Sequence, residues 1–521
     1  MCEKGQTEFC SGWFRVIGDI TYGKYVDKKG AECFAPCFFT IIILYFERTE
    51  REKIMKYAEG KVSEVQIAYI GGGSRGWAWT FMTDLALEPS MSGTIRLYDL
   101  DRDAAEANEI IGNRVSRREE AVGKWEYRTC SSLEDVLTGA DFVVISILPG
   151  TFDEMAVDVH MPERLGIYQS VGDTAGPGGI IRALRTIPMY VTIAEAIKNY
   201  APKAWVINYT NPMSLCVKTL YRVFPEIKAF GCCHEVFGTQ KVLKGIVEET
   251  FGITGIERKD IHVNVLGINH FTWFDYASYE GIDLFPVYRE YIEKHFEEGY
   301  KENDGNWANA SFECKHRVKF DLFRRYGMIA AAGDRHLAEF MPGDEYLKDP
   351  ETVAGWDYGL TTVEWRKEDL KNRLEKSRRL LEENEEVELK PTGEEGILLI
   401  RALCGLDRMV SNVNIPNTNH QIPNLPADAI VETNAVFERD AIRPLIAGNL
   451  PENVKALIMP HIENHEYTLE AALACDKELV VRAFLNDPNV RSAKCSEEKV
   501  RKLVDDMIQG TMEYLPEGWR K

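Results

Sequence analysis

The chain has no surplus of basic residues. Its 62 Lys and Arg are outnumbered by 82 Asp and Glu, which gives a net charge of -20 at pH 7. Binding nucleic acid through phosphate contacts needs a basic surface, so the composition argues against that class of partner. An anionic substrate would need a local Arg, Lys or metal ion to bind against this acidic field.

Long apolar runs and paired cysteine motifs are also absent. The apolar run from Phe34 to Phe46 contains Pro36 and is too short to span a membrane, and no clean signal-peptide cleavage pattern precedes it. The 12 cysteines are scattered without a C-x-x-C pair, which argues against a disulfide framework and a zinc finger. We therefore expect a cytoplasmic protein with no membrane partner, and a peripheral anchor in the first sixty residues is the alternative.

The 521 residues suffice for two domains. Short β-rich runs alternate with helical patterns up to about Phe230, which predicts a doubly wound parallel α/β sheet with right-handed crossovers. We expect an extension of unknown role over 1–60 and a nucleotide-binding domain over 61–230. We expect a mixed, mainly helical domain over 231–521.

The predicted elements are short and regular. The predicted strands are Val65–Ile70, Thr94–Tyr98, Phe142–Leu148, Ala204–Asn208 and Ile261–Leu266, and the predicted helices are Trp77–Leu87, Arg102–Glu120 and Met213–Leu220. The charged segment Glu364–Glu385 predicts a mostly exposed helix. Several Asn and Pro residues predict an extended loop over Asn412–Ala427.

The glycine-rich turn Gly71-Gly72-Gly73-Ser74-Arg75-Gly76 fits G-x-G-x-x-G. Such glycines permit a tight turn, close approach of the backbone to a pyrophosphate, and an anion at the helix N-terminus. The turn follows a predicted strand and precedes a predicted helix, and Asp99 ends the next strand, where a carboxylate accepts from ribose hydroxyls. The pattern predicts an NAD site that includes Ser74 and Arg75. Pro149, after a later strand, either borders the cofactor or only marks a turn.

Two residue types suited to a divalent metal ion occur within forty residues of each other. Cys233, in Gly231-Cys232-Cys233-His234-Glu235-Val236, offers a thiolate, and His270 offers an imidazole. Two protein ligands would leave positions open for substrate hydroxyls and water, whereas a structural zinc site uses four. Either residue could instead be a buried core side chain.

Two further loops carry polar residues at positions where ligands bind in open α/β sheets. Asn211, after the predicted strand Ala204–Asn208, could hydrogen-bond a sugar hydroxyl or could cap a helix. Asp173 lies in a second glycine-rich loop, Gly172–Gly179, and could orient a catalytic base, unless the loop is only a connector.

Together these segments resemble the family 4 glycoside hydrolases, which depend on NAD and manganese. Besides the motifs above, the matching segments are Gly267-Ile268-Asn269-His270, Gly333-Asp334-Arg335-His336-Leu337 and Asn417–Pro426. The resemblance covers about Val65 to Pro516. It implies a Rossmann domain similar to lactate and malate dehydrogenases. It also implies that the domain over 231–521 binds metal and substrate and makes the contacts of a homodimer or homotetramer.

The resemblance also implies roles for individual residues. Cys233 and His270 match the metal (Mn²⁺) ligands, Asn211 contacts the substrate, His234 is the general acid, and Asp173 supports the base. Three candidates for the base stand near the expected place: Tyr326, Asp334 and His336.

The letters Cys-His-Glu-Val resemble the α-galacturonidase subgroup. Phe152–Asp158 contains no basic residue, which argues against a 6-phosphoglycoside. A uronic acid still needs a cationic partner, for which Arg335, Arg182 and Arg75 are candidates.

The implied reaction is oxidation at C3 of the sugar by NAD, elimination of the aglycone, addition of water and re-reduction, an exception to the usual pair of glycosidase carboxylates. The alternatives are another family 4 glycosidase (α-glucosidase, α-galactosidase or α-glucuronidase) and a plain NAD-dependent hydroxy-acid dehydrogenase.

Overall fold

A computed structural model describes residues 14–17, 20–26, 32–36, 55–301, 314–360 and 362–520. Contacts divide the chain into two compact units, Met1–Met55 and Lys56–Lys521. In the first unit β1 (Phe14–Ile17), β2 (Ile20–Val26) and β3 (Glu32–Pro36) form an antiparallel sheet in that order. The apolar run predicted from Phe34 to Phe46 lies mostly outside the described residues.

The second unit alternates strands and helices through its first half. The strands are β4 (Lys56–Ala58), β5 (Lys61–Ile70), β6 (Met91–Tyr98), β7 (Lys124–Thr129), β8 (Phe142–Ile145), β9 (Trp205–Asn208) and β10 (Lys228–Gly231). The helices are α1 (Trp77–Leu87), α2 (Arg102–Arg117), α3 (Leu133–Leu137), α4 (Phe152–His160), α5 (Gly176–Tyr200), α6 (Met213–Val223) and α7 (Glu235–Phe251). This alternation confirms the predicted α/β class.

Smaller strands and many helices make up the rest. The strands are β11 (His262–Ile268), β12 (Phe271–Tyr279), β13 (Ile282–Asp283), β14 (Ile329–Ala330), β15 (Met409–Pro416), β16 (Ile430–Glu438) and β17 (Ala441–Pro444). The helices are α8 (Leu284–His295), α9 (Arg317–Tyr326), α10 (Asp334–Phe340), α11 (Gly343–Tyr346), α12 (Pro350–Gly355), α13 (Val363–Leu381), α14 (Gly396–Leu403), α15 (Glu452–Ala474), α16 (Lys477–Asn486), α17 (Pro488–Ser492) and α18 (Glu497–Gly510). Among the described residues, no helix combines the length and the apolar character that crossing a bilayer requires.

The main sheet has the strand order of a Rossmann fold. Strands β7-β6-β5-β8-β9-β10 are parallel neighbours in that order, so β5 lies at the point where the connections reverse direction. In such sheets ligands bind in the crevice at the carboxyl ends of the strands, beside this reversal. That edge is therefore where a dinucleotide site is expected.

Three antiparallel strands from the C-terminal half extend the same sheet. Gly231 of β10 pairs with Asn414 of β15, and β16 and β17 follow. The segments 61–230 and 231–521 thus share one sheet within one compact unit. The loop predicted over Asn412–Ala427 is wrong in its first part, because those residues complete β15.

Helix α5 lies at the centre of the fold. Ile193 and Ile197 pack with Val143 of β8 in one apolar cluster, while Ile180 and Leu184 pack with the C-terminal helices in another. The first turn of this helix packs closely against the preceding loop, since a Cβ on Gly179 would lie 2.4 Å from the Thr174 carbonyl oxygen. This close approach fixes the loop that carries Asp173.

Candidate functional site

The predicted functional loops meet at one edge of the main sheet. The carboxyl ends of β5, β8, β9 and β10 lead into the glycine turn, the Pro149 loop, Asn211 and Cys233 respectively. Parallel strands place all their carboxyl ends on the same side. Segments that are more than 160 residues apart in the chain are thereby brought together.

The glycine turn has the geometry predicted for it. Gly71 has φ +93°, and a Cβ there would lie 1.9 Å from the Ser146 carbonyl oxygen, so only glycine fits. The Gly73 N–H donates to the Asp99 carboxylate at 2.9 Å, and α1 begins at Trp77. Burial raises the pKa of Asp99. The turn, the helix start and the carboxylate suit the adenosine half of a dinucleotide.

Residues around this turn are fixed by hydrogen bonds. The Asn108 amide donates to the Gly72 carbonyl at 2.8 Å, and Arg75 makes an ion pair with Asp101 at 3.5 Å. The Pro149 carbonyl accepts from Nε of Arg185 at 3.3 Å, and Arg185 also pairs with Asp158. The cofactor roles of Ser74, Arg75 and Pro149 stay predictions.

Asp173, His270 and His336 form the central cluster, and each offers a ligand atom within 4.8 Å of the other two. The imidazole rings of His270 and His336 are stacked with centroids 4.0 Å apart. His270 ends the two-residue connection from β11 to β12 at φ +64°, a region uncommon for non-glycine residues. Its Nδ1 lies 3.0 Å from the Thr174 hydroxyl, next to Asp173.

The ionisable groups of this cluster differ in their protonation states. Burial alone would raise the pKa of Asp173, but Arg182 and the two imidazoles outweigh it and hold the pKa at about 2. Burial and the His336 charge lower the pKa of His270 to about 3. His270 is therefore neutral, which is the form that ligates metal ions.

Glu235 is a site residue that the sequence did not assign to the chemistry. Its carboxylate accepts from the Gly333 N–H at 2.7 Å and lies 3.3 Å from Nδ1 of His336. Burial opposes protonation of His336, but Glu235 prevails and raises the pKa of that imidazole. The glutamate thus orients His336 and leaves its Nε2 directed elsewhere. Only the motif Cys-His-Glu-Val hinted at it.

Cys233 is not one of the three cluster residues, and the groups that act on its thiol are Glu432, Glu235 and Asn269. Burial raises the pKa of its thiol well above the usual value, and Glu432 and Glu235 add to this effect. Asn412 donates to the Cys233 carbonyl at 3.0 Å and to Glu432 at 2.6 Å, and Asn269 donates to Glu432 at 3.3 Å. Such a thiol becomes a thiolate when a cation lies beside it.

Two buried amide oxygens here lack partners among the described residues, Oδ1 of Asn211 and Oδ1 of Asn269. Asn211 directs its amide nitrogen to Asp173 at 3.3 Å, and Asn269 directs its amide nitrogen to Glu432. Buried acceptors without donors are costly, and a divalent ion would satisfy them. The residues present therefore suit a metal ion. Pro212 rather than Asn211 precedes α6, so the helix-cap alternative is wrong.

His234 lies at the mouth of the site with half of its side chain exposed. Its Nδ1 is 3.4 Å from Glu394, and its ring centroid is 6.0 Å from that of Trp77, at the start of α1. It therefore stands between the dinucleotide turn and the central cluster. Its role as the acid stays a prediction.

Two of the three candidate bases have partners elsewhere. The Tyr326 hydroxyl accepts from Arg325 at 3.2 Å, and its ring packs edge-on against Trp273. The buried Asp334 carboxylate accepts the backbone N–H groups of Val318 and Lys319, both at 3.1 Å, and so caps α9. Of the three, the structure brings His336 into the cluster.

Arg335 is also held by the backbone. It donates to the Gly359 carbonyl at 3.0 Å and to the Ser170 carbonyl at 2.6 Å. These bonds occupy donors that a substrate would need. Its substrate role stays a prediction.

The chain matches two family models and several characterised proteins. The models "Family 4 glycosyl hydrolase" and "Family 4 glycosyl hydrolase C-terminal domain" match residues 66–249 and 265–490. The chain is 73% identical to an alpha-galacturonidase of Lachnoclostridium phytofermentans over 89% of this chain and all of that protein. It is 52% identical to the alpha-galacturonidase of Bacillus subtilis over 87% of this chain and 98% of that protein.

The fold has solved counterparts. The crystal structure of lplD from Bacillus subtilis superposes with a TM-score of 0.81 at 52% identity, over 85% of this chain and all of that one. A 6-phospho-alpha-glucosidase from gut microorganisms, solved with NAD and Mn²⁺, gives a TM-score of 0.69 at 19% identity, over 87% and 99%. The second likeness shows a shared fold.

Proposed function

We propose that this chain, which belongs to family 4 of the glycosyl hydrolases, is an alpha-galacturonidase that releases galacturonic acid from α-linked glycosides. Family membership makes it a hydrolase of glycosidic bonds. The sugar and the anomer come from the curated relatives, which are 52% to 73% identical. The observation that carries the proposal is the Asp173, His270 and His336 cluster beside the dinucleotide turn.

We assign NAD to the turn Gly71–Gly76 with Asp99 and Pro149, and a divalent ion to Cys233 and His270 with the Asn211 and Asn269 oxygens nearby. When bound, NAD would supply reversible oxidation of the sugar at C3, and a divalent ion would supply Lewis-acid polarisation of the sugar oxygens. Manganese is our choice of ion because a solved protein of this fold holds it together with NAD.

His336 is our choice for the base that removes the proton from C2. Glu235 contacts its Nδ1 and raises its pKa, which leaves Nε2 as the atom that would take the proton. Asp173, ionised and within 4.8 Å, stabilises the imidazolium that forms. The arrangement parallels the carboxylate–histidine pairs that orient bases in other enzymes.

His234 is our choice for the acid that protonates the leaving oxygen at C1. Its half-exposed position at the mouth suits an aglycone of variable size that extends into solvent. Once the aglycone leaves, His234 is placed to take the proton back from the water that adds at C1. The resemblance further supports a homodimer or homotetramer, and light scattering would test that oligomeric state. It also supports a location in the cytoplasm.

A panel of aryl glycosides tests the function. The purified chain, with NAD, Mn²⁺ and a thiol reductant, is incubated with p-nitrophenyl α-galacturonide, α-glucuronide, α-galactoside, α-glucoside and β-galacturonide. We expect p-nitrophenol release from the α-galacturonide without net NADH. Steady NADH accumulation without cleavage would support a plain dehydrogenase and reject the proposal, and a preference for a neutral sugar would reject the uronic acid.

A further inference from the structure

Helix α13 (Val363–Leu381) is mostly exposed, as its charged sequence predicts, but part of its surface packs at the edge of the site. Val363 packs with Met155 and Val159 of α4 in a small apolar cluster. Further along, Arg373 donates to the Arg75 carbonyl at 3.2 Å, in the glycine turn. The helix therefore runs from α4 to the dinucleotide turn, and one of its faces covers the site.

Arg366 lies on that face, seven residues before Arg373. Seven residues make nearly two helical turns, so the two side chains share a face about 10 Å apart along the axis. Arg373 is the one that reaches the dinucleotide turn. Arg366 instead lies near Asp173 and Arg182, whose charges act on it.

Among the described residues, the Arg366 guanidinium has neither an ion-pair partner nor a hydrogen-bond partner, and its Nε is buried. Burial is the main cause that lowers the pKa of Arg366. The side chain of Arg366 is partly buried, and its buried Nε donates to no acceptor among the described residues. A buried donor without an acceptor is costly, and a bound ligand is one way to satisfy it.

Neighbouring arginines are committed elsewhere. Arg182 directs its Nε to the Asn211 carbonyl at 3.1 Å, and Arg335 donates to two backbone carbonyls. Burial and the positive charge of Arg366 lower the pKa of Arg335 to about 10. The guanidiniums of Arg182 and Arg366 thus both lie near Asp173, and a second anion would offset their remaining positive charge.

We propose that Arg366 binds the acidic group at C6 of the sugar and thereby sets the specificity of the site for uronic acids. This inference rests on the proposed function. A guanidinium matches a carboxylate with two parallel hydrogen bonds, which a neutral hydroxymethyl group cannot accept in that form. A sugar 6-phosphate has similar acceptor chemistry, so the test includes one.

The test compares Arg366→Gln and Arg366→Lys with Arg378→Gln. Arg378 lies on the same helix, but it is exposed and paired with Glu382 at 3.1 Å, so it serves as a matched surface control. Binding of galacturonate, galactose and galactose 6-phosphate to each protein is measured by calorimetry with NAD and Mn²⁺ present. Rates are measured with the α-galacturonide and α-galactoside of p-nitrophenol.

For Arg366→Gln we expect galacturonate affinity to fall about 100-fold, with KM raised to the same extent and kcat changed only a few-fold. Galactose affinity and the galactoside rate should not fall, Arg366→Lys should recover part of the loss, and Arg378→Gln should match the wild type. Unfolding curves establish that each variant is folded.

Three outcomes would overturn the assignment. The first is an Arg366→Gln protein that binds galacturonate as tightly as the wild type. The second is an equal loss of affinity for galactose and galacturonate, which would indicate a structural role for Arg366. Tighter wild-type binding of galactose 6-phosphate than of galacturonate would assign the site to a phosphate. If the wild type neither binds nor cleaves galacturonides, the proposed function itself fails, and that result is read before any variant is compared.

Discussion

Two clusters of metal-ligating side chains occur in the described part of the chain, and they differ in how their charges are satisfied. Asp173, His270 and His336 form one, and Cys314, His316 and Asp334 form the other. In the second cluster Nζ of the buried Lys319 lies 3.2 Å from Nδ1 of His316 and donates to the Thr239 hydroxyl at 2.9 Å.

The comparison teaches that ligand types alone do not define a metal site. In the second cluster a lysine already supplies positive charge, and Asp334 is used to cap α9. In the first, the oxygens of Asn211 and Asn269 remain without donors. Buried oxygen acceptors without donors at a sheet edge therefore indicate a cation site better than the presence of His and Cys does.

The largest expected effect is at the first cluster. His270→Ala removes a neutral imidazole from the assigned metal site, and we expect kcat/KM for the galacturonide to fall about 1000-fold or more while the protein stays folded. Manganese affinity, measured by titration with electron paramagnetic resonance, should fall as well. His316→Gln, in the second cluster, is the control and should leave the manganese affinity unaltered. Equal losses of manganese affinity in both variants would show that the two clusters do not differ as metal sites.

Next in size is a stability effect at the second cluster. Lys319→Met removes the buried ammonium together with its contacts to His316 and the Thr239 hydroxyl, so we expect the free energy of unfolding to fall by about 1–3 kcal/mol. Urea unfolding followed by tryptophan fluorescence measures it. If micromolar manganese restored the stability of this variant, the second cluster would be a metal site and would not differ from the first.

Cys233→Ser should have a smaller effect than His270→Ala. A serine hydroxyl is a weaker ligand than a thiolate for intermediate metals, so we expect about 100-fold weaker activation by manganese at an unchanged fold. The activity is followed over a manganese titration. Identical titration curves for variant and wild type would remove Cys233 from the site, and Cys232→Ser is the adjacent control.

The smallest expected effect concerns the base. Tyr326→Phe removes only a hydroxyl bonded to Arg325, outside the cluster, and we expect kcat to change less than about 2-fold. His336→Gln, by contrast, should lower kcat strongly. A large loss in Tyr326→Phe with little loss in His336→Gln would reverse our choice of base.

Local patterns allowed much of the fold to be predicted. The helix Trp77–Leu87 has the predicted bounds, and Gly71 and Asp99 stand where the glycine spacing and strand ends predict them. These features depend on neighbours in sequence, which a single chain displays directly. The strand Lys124–Thr129 was not among the predicted strands, although its buried Trp125 and Tyr127 alternate with charged residues as in a half-buried strand.

Features that depend on distant contacts could not be predicted from the sequence. Asn412 looked like a loop residue, yet its side chain is buried against Glu432 on a neighbouring strand. Arg366 looked like one charge among many on an exposed helix, because nothing in its own segment shows that α4 and the glycine turn lie beneath it. Glu235 was visible only as part of a motif.

The extension of the main sheet by β15–β17 bears on the order in which the chain is made. Strand β10 pairs on one side with β15, which begins about 180 residues later. At ribosomal rates of roughly 5–20 residues per second, the β10 edge waits about 10–40 s for its partner. An open edge strand invites pairing with other chains. A nascent chain of this protein is therefore most exposed to misassembly, and most in need of a chaperone, before its last fifth emerges.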